Sequence, residues 1–181
     1  MRITGGIYRG RLLKSTPGLE ARPTTDKVRQ AIFNILMNDI EDKRVLDIFA
    51  GSGALGIEAL SHGAQSAVFI EIAHQQAEAV RRNLKGLELM EEIIQADYIK
   101  ACRHLSERGE QFDLIFADPP YDRFAPQEII QTVLQYNLLA PDGFLIIEHR
   151  SGAATESDRM IILKNRKFGQ TEVTFYAHKE T

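Results

Sequence analysis

The chain has 181 residues, 44% of them apolar and 26% charged, and a net charge of −3. This is the composition of one globular domain long enough to bury a core. No apolar run reaches membrane-spanning length, and Cys102 is the only cysteine, so a disulfide-stapled scaffold is excluded as well.

Cys102 reads as a small buried hydrophobe on a helix, since no Cys/His motif surrounds it. His62, His74, His104, His149 and His178 are scattered at no recognised metal spacing, so no metal is expected. The N-terminus lacks the long apolar segment of a secretory signal, and a reducing, cytoplasmic setting is expected. Charge is unevenly spread. Residues 1–30 carry a net +5 and the remainder a net −8. A basic end on an acidic body predicts a localised polyanion contact.

In chain order, residues 3–14 predict two short strands around glycine turns. Residues 15–24, with Pro17, Gly18 and Pro23, predict extended loop. Thr24 or Thr25 caps a helix running to about Asn38, with Val28, Ile32, Ile35 and Leu36 on one face. Strands and helices then alternate. Strands are expected at Val45–Phe49, Ala67–Glu71, Glu92–Ala96, Phe112–Ala117 and Phe144–Glu148. The intervening helices are expected at Ala54–Ser61, His74–Leu84, Ile99–Glu107 and Pro126–Tyr136, with a turn at Pro141-Asp142-Gly143. Met160–Leu163 and Thr171–Ala177 fit a closing antiparallel pair. The alternation predicts a doubly wound α/β sheet, parallel except at its C-terminal edge.

Gly51-Ser52-Gly53-Ala54-Leu55-Gly56 follows the first strand and opens a helix, the setting in which G-x-G-x-x-G binds a nucleotide cofactor. Glu71 ends the next strand twenty residues on, where a ribose-binding acid is expected. The loop lacks the Lys-Ser/Thr ending of an ATP-binding P-loop. A nicotinamide enzyme needs more chain for a second half than remains here. Acidic residues recur at the strand ends as Asp47, Glu71, Asp97 and Asp118. They suit the sulfonium cation of S-adenosylmethionine (SAM) better than a pyrophosphate. Asp97 is placed either to accept from the adenine amino group or to cap the helix that begins at Tyr98. The two roles are compatible.

Asp118-Pro119-Pro120-Tyr121 follows the fourth strand, on the face where open α/β sheets bind ligands. The prolines stiffen the loop and carry no N–H, so neighbouring carbonyls are left to accept. Acceptors beside an aromatic plate suit a flat group with an exocyclic amine, such as a nucleobase. The tetrapeptide alone does not choose adenine over guanine.

With the glycine loop, this tetrapeptide makes the chain resemble class I SAM-dependent methyltransferases acting on amino nitrogens. Gly5–Leu12, Arg22–Arg29, Phe33-Asn34 and Asp47–Ser61 look like the RsmD family of bacterial 16S rRNA guanine-N2 methyltransferases. So do Glu148 and Lys167–Thr171, and the resemblance covers nearly the whole chain. It implies a Rossmann-like, mostly parallel seven-stranded sheet with an antiparallel C-terminal edge and a small N-terminal β-hairpin extension. The extension would span residues 1–24 and the methyltransferase domain residues 25–181. Methyl transfer from SAM to the N2 of one guanine in small-subunit rRNA is the implied reaction. Phe49, Ala50, Gly51, Ser52, Gly53, Glu71, Ile72, Asp97 and Tyr98 would bind SAM. Asp118, Pro119, Pro120 and Tyr121 would perform the chemistry. Arg9, Arg11, Arg22, Thr24, Thr25, Asp26 and Arg29 would contact substrate. The expected partner is 16S rRNA, within a small subunit or an assembly intermediate, and the expected state is a monomer. An adenine-N6 nucleic-acid methyltransferase and a silent RNA-binding assembly factor are the alternatives.

Overall fold

The computed structural model describes residues 1–15, 26–37 and 39–179. Helix α1 spans Asp26–Leu36, and seven strands then alternate with four further helices. The order is β1 (Arg44–Ile48), α2 (Ala54–Ser61), β2 (Ser66–Ile70), α3 (His74–Gly86), β3 (Glu92–Ile94), α4 (Tyr98–Glu107), β4 (Phe112–Ala117), α5 (Pro126–Gln135), β5 (Leu139–Arg150), β6 (Met160–Phe168) and β7 (Thr171–His178).

The strands form one sheet in the order β3-β2-β1-β4-β5-β7-β6. Pairing is parallel from β3 to β5, and β7 runs antiparallel to both β5 and β6. Strand order reverses between β1 and β4, which opens a crevice at their C-terminal ends, where such sheets bind ligands.

Alternation along each strand feeds two cores, one on each face. Val45, Phe69 and Phe116 pack with Ile32, Phe33 and Ile57 on the α1–α2–α3 side. Leu46, Ile48 and Ile115 pack with Cys102, Ile129 and Val133 on the α4–α5 side. Asp47, between Leu46 and Ile48, is thereby forced onto the first face, beneath α2.

The main departures from the expected boundaries are three. The N-terminal hairpin has a single bridge, Arg2–Leu12, in place of two regular strands. Gly6 and Gly10 at positive φ bend the chain before a ladder can grow. This segment is stitched into the body, because Ile3 and Leu13 are buried in the first core. Pro141–Gly143 falls within β5 as an irregularity, where pairing shifts from Phe112–Leu139 to Leu114–Phe144. Strand β6 extends to Phe168 through Lys164–Lys167, a polar run that suits a sheet edge and masks the strand signal. The expected cap at Thr24 or Thr25 and the loop at 16–24 lie outside the described residues. Among the described residues, no helix is long and apolar enough to cross a membrane.

Candidate active site

The glycines of the first loop do three different jobs. Gly53 caps α2 at φ +80, and a Cβ there would crowd Ile57, Val80 and Phe69 at 3.2–3.3 Å. Gly56 lets α2 lie on β2, since a Cβ would meet Phe69 at 2.4 Å. Gly51 also has positive φ, but a Cβ there would meet nothing within 4 Å. Its bare face is therefore left open for a ligand to approach.

Glu71, buried at the end of β2, holds this loop in place. One carboxylate oxygen accepts from the Gly51 N–H at 2.8 Å and the other from the Ala73 N–H at 2.8 Å. Each oxygen has a second acceptor position, which a ribose diol would use. Beside it, Ile72 is 66% exposed and offers an apolar plate for a flat ring. Below the loop, Asp47 accepts from the Gly56 N–H at 2.9 Å. Burial pushes its carboxyl up to about 7, and the nearby Glu71 charge adds to the rise. Ala50 donates to the Ile70 carbonyl at 2.9 Å, and Gly53 donates back to Ala50 at 2.7 Å.

Phe49 sits at φ +65, a conformation that non-glycine residues rarely adopt. Its ring packs 4.9 Å from Tyr98 and 5.1 Å from Phe124, and the latter two meet edge to face at 5.3 Å. This cluster ties the loop after β1 to α4 and to the segment after β4. Tyr98 is almost wholly buried, so its ring supports Phe49 from within the core. Asp97 caps α4, with Oδ1 accepting from the N–H groups of Ile99 and Lys100 at 3.0 and 3.4 Å.

Across the crevice, Asp118 is half-buried, Pro119 buried and Pro120 exposed. Tyr121 donates its hydroxyl to Oε1 of Glu148 on β5 at 2.7 Å, and Thr171 of β7 lies 3.5 Å away. Burial, with the neighbouring Glu148 carboxylate, raises the phenol's pKa above its ordinary value, so the hydroxyl stays a donor. The ring is thus fixed at its polar end.

One expected substrate contact is corrected. Arg29 is 0% exposed, with Nε donating to Glu58 at 2.9 Å and Nη2 to Asp26 at 2.9 Å and to the Arg2 carbonyl. It cannot reach RNA and instead anchors the N-terminal segment. Asp26 is the exposed half of that ion pair. Glu58, also fully buried, accepts from the Thr4 N–H, the Thr4 hydroxyl and the Gly5 N–H at 2.7–3.0 Å. Sequence reasoning missed Glu58, although a lone charge within the apolar helix Ala54–Ser61 was a signal. It also missed the pairing of Glu148 with Tyr121, which has no local signature. Arg9 and Arg11 are exposed, while Arg22, Thr24 and Thr25 lie outside the described residues.

This sheet order, an open glycine loop with an acid at the end of β2, and an Asp-Pro-Pro-Tyr loop at the end of β4 define a class I SAM-dependent methyltransferase. A family model described as conserved hypothetical protein 95 matches residues 1–177. The chain is 36% identical to YlbH of Bacillus subtilis, a candidate rRNA methyltransferase, over 97% of this chain and 98% of that protein. It is 34% identical to ribosomal RNA small subunit methyltransferase D of Escherichia coli, over 97% of this chain and 89% of that protein. The solved structure of yhhF, a candidate methyltransferase of Escherichia coli, superposes with a TM-score of 0.87 at 32% identity, over 99% of this chain and 98% of that one. The chain belongs to the conserved hypothetical protein 95 family, to which the RsmD resemblance points.

Proposed function

We propose that the chain methylates the exocyclic N2 of one guanine in small-subunit ribosomal RNA. The observation that carries this reading is the Tyr121–Glu148 hydrogen bond, which holds an aromatic plate beside Asp118 across the crevice from the glycine loop. SAM supplies an electrophilic methyl group on a sulfonium. Gly51, Glu71 and Ile72 would hold it, on the side where Gly51 presents no side chain and Glu71 keeps acceptor capacity.

An exocyclic amine is a poor nucleophile because its lone pair is delocalised into the ring. The Asp118 carboxylate and the Pro119 carbonyl accept its two N–H bonds, which localises the lone pair. Bound SAM would supply the methyl group for the new N–C bond, with its S–C bond breaking in exchange, and Asp118 would take the proton that the nitrogen loses. Tyr121 stacks on the base, which must leave its helix to reach the site. Holding the amine toward the methyl group that bound SAM would present would supply much of the acceleration. The basic segment 1–24 contacts the RNA, and the enzyme acts as a monomer on a small subunit or its assembly intermediate.

The test is transfer of a labelled methyl group from SAM to small subunits and to free rRNA, followed by nucleoside analysis. Labelled N2-methylguanosine is the expected product. N6-methyladenosine would select the adenine alternative, and no label would select the silent binding module.

A further inference from the structure

The N-terminal segment does not end in solvent. The Arg11 guanidinium donates to the Gly86 carbonyl, at the last residue of α3, at 2.7 Å. Three residues on, Lys14 is gripped on both sides of its backbone by Asn83. Its N–H donates to Asn83 Oδ1 at 2.8 Å, and its carbonyl accepts from Asn83 Nδ2 at 3.0 Å. Nδ2 also donates to the Ser52 carbonyl of the glycine loop at 2.9 Å. Asn83 is 5% exposed, so these bonds are made away from water. Asn83 and Gly86 are three apart and share one face of α3, so the segment lies along the last turn of this helix.

Arg82 and Lys85 stand on that same turn, three residues apart and both exposed. Neither forms an ion pair among the described residues. Arg81, the residue before them, is paired with Glu78. Arg11 and Lys14 are thus brought against the helix turn that carries Arg82 and Lys85, from an element far apart in sequence. Like charges gathered on an otherwise acidic body repel one another, and a polyanion relieves that repulsion.

We infer that the last turn of α3 and the N-terminal segment form one continuous surface for the RNA backbone flanking the target base. Asn83 fixes the register of that surface against the glycine loop. The inference rests on the rRNA reading above. It enlarges the substrate surface by Arg82 and Lys85, residues that no motif marks.

The test is binding of an rRNA fragment by the full chain over a salt series, for wild type, for Arg82→Glu/Lys85→Glu, and for a control reversal at Arg159 and Lys179. SAM affinity, measured in parallel, reports that each variant is folded. The α3 variant should bind at least tenfold more weakly, with the slope of log affinity on log salt shallower by about 1.5, for two lost phosphate contacts. SAM affinity should stay within twofold. Wild-type affinity and slope in the α3 variant would overturn the surface, as would an equal loss in the control. A wild-type protein that neither binds nor methylates rRNA would instead remove the functional reading itself.

Discussion

The two walls of the crevice are built on different principles. The glycine-loop wall is made of backbone, with loop N–H groups locked onto Glu71 and Asp47 and further bonds joining Ala50 to Ile70 and Gly53 to Ala50. The opposite wall is made of side chains, namely Asp118, Tyr121 and the Glu148 that steadies it. A backbone wall is pre-organised and tolerant of the residue identities around it. A side-chain wall can place a proton acceptor and an aromatic plate, but each depends on one residue. Loss on the first wall should therefore weaken cofactor binding, and loss on the second should slow chemistry.

The sharpest way to separate the walls is Asp118→Ala. Turnover should fall by about a thousandfold or more, at the upper end of what a positioned acid–base group supplies. SAM affinity by calorimetry should change less than threefold. Turnover near wild type would transfer the proton-accepting role elsewhere.

Next in size is Arg29→Ala, which tests whether this residue belongs to a wall at all. Removing one partner of a buried ion pair costs about 3–5 kcal/mol. The loss should appear as a fall in melting temperature of about 10 °C. A stable variant with weakened RNA binding would return Arg29 to the substrate surface.

The contrast between Arg29 and Gly51 shows what the sequence can carry. Glycines before a helix, an acid at the end of the next strand and Asp-Pro-Pro-Tyr after β4 are local patterns, and each is legible because its chemistry is contained in a few neighbours. A doubly wound sheet, parallel except at its C-terminal edge, followed from the alternation of strands and helices. Arg29 was read as a substrate contact because a basic block looks the same whether it faces solvent or a buried carboxylate. Its partner Glu58 is 29 residues away, and Tyr121 meets Glu148 across 27. Such pairings are set by packing, so no local pattern announces them. Strand β6 was cut short for a related reason, since edge strands conceal their signal behind charges.

Asp47 sharpens the comparison within the glycine-loop wall. Its carboxyl titrates near 3.8 when exposed and at about 7 in the folded protein, chiefly because it is buried. Between those values the folded state holds a proton that the unfolded chain has released. Stability is therefore greatest below the window and declines as pH rises through it. Asp47→Asn keeps an acceptor for the Gly56 N–H but cannot ionise. Denaturant melts at pH 5 and pH 8 should show the variant's decline to be smaller than wild type's by about 3 kcal/mol, from about two pH units of the window at about 1.4 kcal/mol per unit. Parallel declines would mean that Asp47 is ionised throughout.

Tyr121 gives the smallest expected effect and the cleanest division of labour on the side-chain wall. Tyr121→Phe keeps the ring and removes the hydroxyl that Glu148 holds. If the ring's role is to stack on the base, the cost is only that of letting it drift. One hydrogen bond to a charged acceptor is worth about 1.5–3 kcal/mol when buried. Tyr121 is only half-buried, so the expected loss is nearer a factor of five in kcat, with SAM affinity unchanged. Tyr121→Ala removes the plate as well and should lose a further factor of about ten, consistent with base stacking worth roughly 1–3 kcal/mol. Glu148→Gln keeps an acceptor for the hydroxyl and should fall between wild type and Tyr121→Phe. In the double variant the Glu148 change should add nothing, because the bond it tunes is already gone. Additive losses would show that Glu148 acts on the reaction by a route other than Tyr121.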